Sequence, residues 1–152
     1  MIDTVTDHDN LIASLTLTTA GCVATVLAAF SPLVLLDADW SALDSYVGAG
    51  LGGLWTITIL AGAIAIASFA GLRGRLDSPT ATAVGVGAGL IMLIVAVMWA
   101  IFVEAALVDE LAATSRIDRP RDWFTYHRWA VVSLAAIAPI ASLWGAVRAS
   151  LL

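Results

Sequence analysis

Residues 81–108 read ATAVGVGAGLIMLIVAVMWAIFVEAALV and contain one ionisable side chain, Glu104. A helix needs about 20 apolar residues to cross the hydrocarbon core of a bilayer. Three further apolar stretches are long enough to do so, at residues 11–36, 47–72 and 129–147. A segment inside hydrocarbon must satisfy its own backbone hydrogen bonds, as a helix does. The pattern therefore predicts four transmembrane helices.

The composition points to the same architecture. The chain has 152 residues, of which 61% are hydrophobic and 12% are charged, whereas about 25% are charged in a typical soluble domain. A soluble fold of this size would have too few polar side chains to cover its surface. Short connections between helices favour antiparallel neighbours. We therefore predict a single all-α domain, an integral membrane four-helix antiparallel bundle that extends over residues 1–152.

The charged residues are unusual in kind. Lysine and glutamine are absent, every basic residue is arginine, and the formal net charge is −5. This composition resembles that of proteins from halophilic archaea, in which surface carboxylates hold water in concentrated salt. Nucleic-acid binding needs a basic surface, so we expect no nucleic-acid partner. The expected partners are membrane lipid and other membrane subunits or further copies of the chain.

Polar chemistry is concentrated in residues 116–129, RIDRPRDWFTYHRW, which hold four of the seven arginines and two of the six tryptophans. Arginine and aromatic residues beside a span are favoured at the headgroup level of a bilayer. We interpret the segment as an interfacial collar, formed by Arg116, Arg119, Arg121, Trp123, Tyr126 and Trp129. The alternative is a docking surface for a partner protein or for an anionic lipid headgroup.

Glu104 lies about one turn from the end of the third stretch. Ionisable groups at membrane depth are costly and usually functional. Arg128 and His127 lie near the start of the fourth stretch, on the same membrane face as the end of the third. We therefore interpret Glu104 as half of a structural ion pair with Arg128 or His127. A proton or cation site is the alternative.

Close helix packing is predicted at small residues, which allow backbones to approach. The second stretch contains Gly48-x-x-x-Gly52, the third contains Gly85-x-x-x-Gly89, and the fourth contains Gly145. Pro32 and Pro139 are the predicted kink positions, because proline cannot donate a backbone hydrogen bond.

The sequence contains no recognisable constellation for catalysis or metal binding. His8 precedes the first span and His127 the fourth, so they lie on opposite membrane faces and cannot share a haem. Zinc needs several ligands at short spacing, and catalytic signatures such as a nucleophile elbow or a phosphate loop are missing. We expect no enzyme activity, no cofactor and no metal.

Orientation follows from the arginines near the span ends. The N-terminus, the 73–79 turn and the C-terminus share one face, with three arginines, and the loops at 37–46 and 109–128 share the other, with four. These counts are nearly equal. Arg73 and Arg75 directly follow a span in a tight turn, which favours a cytoplasmic N-terminus.

The predicted function is non-catalytic. We expect an accessory or structural subunit of a membrane assembly, for which the envelope of an archaeal virus is one setting, or a homo-oligomer. The alternative is a small channel or transporter formed as a homo-oligomer. Its path would run near Glu104 and the stripe formed by Ser14, Thr18 and Thr25. A membrane enzyme or redox subunit that uses the collar is a third hypothesis.

Overall fold

The computed structural model describes residues 2–35, 40–114 and 119–148, which are helical almost throughout and contain no strand. The predicted all-helical class is thus confirmed for these residues. The helices are α1 (Ile2–Leu35), α2 (Trp40–Leu72), α3 (Ser78–Phe102), α4 (Ala105–Thr114), α5 (Pro120–Ala135) and α6 (Ile137–Arg148).

Four stretches within these helices are long and apolar enough to cross a bilayer. They are His8–Val34, Gly52–Leu72, Ser78–Phe102 and Pro120–Arg148. The fourth stretch combines α5 and α6, which are separated at Ala136. The separation falls just before Pro139, which has no N–H for the carbonyl of Ala135. The four stretches are compatible with a helical membrane bundle.

Four helix–helix pairings make most of the contacts that hold the described residues together. α1 and α3 each pack against both α2 and α6. Small residues make the contacts with α6 close: Gly89 of α3 faces Pro139, Gly85 faces Ser142, and Gly145 of α6 faces α1. A Cβ atom added at Gly89 would lie 2.9 Å from Pro139 Cδ. Larger side chains at these positions would therefore push the helices apart.

The predicted glycine pair of the second stretch, Gly48 and Gly52, differs from the glycines that contact α6. Gly48 has open space where a side chain would lie. Gly50, Gly52 and Gly53 have φ values of +73°, +76° and +51°, a left-handed conformation that glycine adopts without steric cost. The regular right-handed path of α2 is therefore interrupted at residues 50–53, without a proline.

The third helix ends earlier than the predicted boundary at residue 108. α3 stops at Phe102, Val103 is extended with φ −65° and ψ 109°, and α4 begins at Ala105. Glu104 therefore lies in a break between two helices and outside the apolar stretch. The apolar run continues through the break, so hydropathy alone did not locate it.

Candidate functional site

A group of buried aromatic and polar side chains surrounds His127 of α5. Only 7% of the surface of His127 is exposed. Its Nδ1 lies 2.8 Å from the hydroxyl of Tyr46, and its Nε2 lies 2.8 Å from the carbonyl oxygen of Ala28. A carbonyl only accepts hydrogen bonds. In the neutral ring Nε2 therefore donates to Ala28, and Nδ1, which then carries no proton, accepts from the Tyr46 hydroxyl.

The carbonyl of Ala28 is free for this contact because of Pro32. In a regular helix the N–H of residue 32 would donate to the carbonyl of residue 28, but proline has no N–H. Two side chains occupy the vacant acceptor: the His127 ring and the hydroxyl of Ser31, whose Oγ is 2.8 Å away. The proline in α1 thus leaves a carbonyl without its backbone donor, and the histidine in α5 donates a hydrogen bond to that carbonyl.

Aromatic rings surround the hydrogen-bonded pair. The ring of Tyr46 makes edge contacts with Trp99 and Phe124, each with ring centroids 5.3 Å apart. Trp123 stacks on His127 at 4.9 Å. The indole N–H of Trp99 donates to the backbone carbonyl of Tyr46 over 2.9 Å. We call Tyr46, Trp99, Phe124 and His127 the aromatic cluster; through Ala28 it connects α1, α2, α3 and α5.

Tyr46 is fully buried and lies before the apolar stretch of α2. Burial raises the pKa of its hydroxyl far above the usual value, because the charged phenolate would lose its hydration, while Arg128 opposes this shift. The hydroxyl therefore stays protonated and remains available as a donor to His127. Tyr46 and His127 therefore form a fixed hydrogen bond within a packed core.

Arg128 closes the end of α3. Its Nη1 donates to the carbonyl oxygens of Ala100 and Val103 over 3.3 and 3.4 Å. The last carbonyls of a helix lack partners within it, and a cation is favoured there by the helix dipole. The Nε atom of Arg128 is buried and has no hydrogen-bond partner within the part of the chain that the structure describes. The break after Phe102 is thus stabilised by a side chain from another helix.

Glu104 is exposed. Among the described residues, the structure does not bring it into an ion pair with Arg128 or His127, because Arg128 contacts the α3 carbonyls and His127 contacts Tyr46 and Ala28. Of the predicted site residues, Arg128 contacts the end of α3 beside the break and His127 belongs to the buried group around Tyr46.

The collar residues divide between two environments. Tyr126 and Trp129 point outward, with 75% and 50% of their surface exposed, whereas Trp123 packs against the aromatic cluster. Arg121 forms an exposed ion pair with Asp109 of α4 at 3.0 Å. Arg119 precedes α5 in a left-handed conformation with φ 54°. Arg116 lies outside the described residues.

An open groove of about 700 Å³ lies between α2 and the α3–α4 break. Its walls include Gly50, Met98 and Phe102, and the carboxylates of Glu104 and Glu110 also line it. Over the described residues no three His, Cys, Asp or Glu side chains come together in a way that could hold a metal ion.

The sequence interpretation did not include Tyr46 or Trp99, although both are fully buried. The usable signal was Pro32, which predicts a carbonyl in need of a donor at Ala28. Hydropathy gave no signal for Tyr46 or Trp99, because both residues lie in apolar surroundings that look alike at every helix end.

The comparisons with known proteins identify a family and no activity. No curated protein and no solved structure matches the chain. One family model matches residues 9–150, a range that includes the aromatic cluster and, apart from His8, all four apolar stretches. The chain therefore belongs to the family of unknown function DUF7548.

Proposed function

We propose that the chain is a non-catalytic integral membrane protein whose four apolar stretches cross the bilayer in antiparallel order. In this proposal it acts as a structural or accessory subunit of a membrane assembly, formed with other subunits or with copies of itself. The N-terminus, the 73–79 turn and the C-terminus would face the cytoplasm.

The side chains on the outer surface support the proposal that lipid surrounds the protein. Each apolar stretch exposes large aliphatic side chains: Leu27 is 68% exposed, Ile66 73%, Ile94 61% and Ile140 65%. Soluble monomers rarely expose extended apolar patches. Hydrocarbon or a neighbouring membrane helix would cover these side chains at no hydrophobic cost.

The observation that carries the proposal is that the polar stripe of α1, formed by Ser14, Thr18 and Thr25, makes its hydrogen bonds inside the protein. Ser14 Oγ donates to the carbonyl of Ala141 over 2.7 Å, and the hydroxyls of Thr18 and Ser142 are 3.1 Å apart. Thr25 Oγ1 donates to the carbonyl of Gly21 in its own helix. All three stripe residues are fully buried.

A channel alternative would use this stripe to line a water-filled path. Here the stripe joins α1 to α6 and is removed from any surface that a further subunit could share. The outward faces that remain expose large apolar side chains, which favours action through packing.

The test is mass spectrometry of the protein extracted from its own membrane in mild detergent. We expect a stoichiometric partner or a defined homo-oligomer. A free monomer under all mild conditions would contradict the proposal. Liposomes containing the purified protein provide the second arm: ion flux that Glu104→Ala abolishes would favour the channel alternative.

A further inference from the structure

The groove between α2 and the α3–α4 break lies beside two backbone irregularities, one in each wall. Gly50 has φ +73° and faces the Phe102 ring, which a Cβ atom there would meet at 3.6 Å, so at Gly50 only backbone lines the groove. On the other side the chain is extended at Val103. The volume of about 700 Å³ falls in the range of small-molecule sites.

The lining has a distinct chemical character. Met98 and Phe102 supply an apolar wall at the end of the third apolar stretch, and Glu104 and Glu110 supply carboxylates beyond it. No basic side chain lines the groove where the structure describes it. Arg128, the cation that caps the neighbouring helix end, donates to the carbonyls of Ala100 and Val103. Among the described residues, therefore, no cation pairs with Glu104.

We propose that this groove binds a small monovalent organic cation with an apolar body. The apolar body would lie against Met98 and Phe102, and the positive charge would face Glu104. A cation near an aromatic face gains further attraction, and Phe102 presents an exposed ring for it. Inorganic divalent cations prefer six or more oxygen ligands, which suit neither the width nor the apolar wall of the groove. This inference does not depend on the assembly proposal.

The experiment is equilibrium dialysis of the full chain in a nonionic detergent, with protein-free micelles as the blank. Tetraphenylphosphonium is the probe, and tetraphenylborate, which has nearly the same shape and the opposite charge, is its control. We expect saturable binding of one phosphonium per chain and no saturable binding of the borate. Saturable binding of both ions, or of neither, would overturn the proposal.

Variants locate the binding. Glu104→Gln should weaken phosphonium binding about tenfold, equivalent to about 1.4 kcal/mol, while Glu104→Asp should stay within about threefold of the parent. Asp122→Asn removes an exposed carboxylate on α5 that does not line the groove, and it should leave binding unchanged. Equal affinity of Glu104→Gln and the parent, or an equal loss in Asp122→Asn, would refute the site.

A second kind of variant, which blocks the groove sterically, shows whether lost binding reflects the site itself or unfolding caused by a change at Glu104. Ala106 is exposed and lines the groove, so Ala106→Trp should fill it and keep both carboxylates. We expect this variant to lose saturable phosphonium binding with an unchanged melting temperature. Retained binding in the folded Ala106→Trp protein would place the cation elsewhere and overturn the proposal.

Discussion

His127 shows how much a single side chain contributes to this protein. It connects α5 to α1 and α2 through two hydrogen bonds of 2.8 Å and stacks on Trp123. A typical hydrogen bond stabilises a fold by about 1 kcal/mol net, but a buried group left unpaired costs about 1–3 kcal/mol. The fully buried hydroxyl of Tyr46 therefore makes the loss of His127 more costly than the loss of one contact.

His127→Phe should reduce the free energy of unfolding by about 2 kcal/mol, because the Tyr46 hydroxyl would lose its acceptor in a buried site. Denaturant unfolding in detergent measures this change. Tyr126→Phe, on the exposed face of the same helix, is the matched control and should be nearly neutral.

A double-mutant cycle separates this hydrogen bond from general damage. Adding Tyr46→Phe to His127→Phe should recover part of the loss, because the orphaned hydroxyl is removed, and the coupling should be about 1 kcal/mol. Strict additivity of the two substitutions would contradict the hydrogen-bonded pair.

At the scale of the helices, their ends and interfaces are defined by contacts of two kinds. Capping groups define the ends: Asp77 accepts from the N–H of Thr80 at the start of α3, and Arg128 contacts the carbonyls at its end. Glycines define the interfaces, because α6 approaches α3 where Gly85 and Gly89 have no side chains. These contacts fix the length of α3 and its distance from α6.

Gly85→Ala should destabilise the protein by about 1–3 kcal/mol, because the added methyl group would overlap the side chain of Ser142. Gly87, two residues along the same helix, has open space at its Cβ position. Gly87→Ala should therefore be neutral or stabilising by up to about 1 kcal/mol, since alanine favours helix over glycine. Melting temperatures in detergent compare the pair; equal effects would contradict the α3–α6 contact.

The cap at Asp77 predicts a pH dependence. Hydrogen bonds from Thr80 lower the pKa of Asp77 below its ordinary value of 3.8. A carboxyl whose pKa is lower in the folded state stabilises that state above the unfolded pKa, and the stabilisation is lost as the pH falls through the folded pKa.

We therefore expect Asp77→Ala to melt below the parent at neutral pH and the difference to shrink in acid, as the pH falls below 3.8. Thermal unfolding across a pH series measures it. Asp77→Asn, which keeps a capping oxygen, should lie closer to the parent at neutral pH. A difference between Asp77→Ala and the parent that does not change with pH would rule out the charged cap.

At the scale of the whole molecule, the described helices present large apolar side chains outward and bury a small set of polar ones, among them Ser14, Thr18 and His127. Among the described residues, three buried polar side-chain atoms lack a hydrogen-bond partner: Ser68 Oγ, Thr82 Oγ1 and Arg128 Nε. The exposed Arg73 and Arg75 follow the second apolar stretch, and the exposed Asp109 follows the third. This distribution matches a lipid belt between two aqueous layers, which is the basis of the proposed antiparallel insertion.

Cysteine labelling tests that insertion. Ser45 and Ser78 lie on either side of the second apolar stretch, Gly52–Leu72, so Ser45→Cys and Ser78→Cys should face opposite compartments. Cys22 is fully buried and should remain unlabelled in the parent protein. With a cytoplasmic N-terminus, an impermeant maleimide should label Ser45→Cys in intact cells and Ser78→Cys only after permeabilisation. Labelling of both variants in intact cells would contradict the single crossing.

The sequence by itself determined the helical class and the four apolar stretches, because length and hydropathy are local properties that a bilayer-sized window captures. Only the tertiary structure decided which polar groups meet. His127 is 99 residues from Ala28 and 81 from Tyr46, and Arg128 ends α3 from another helix. Such pairings depend on which helix faces pack together. Glu104 therefore could be recognised in the sequence, whereas its position in a helix break beside an open groove could not.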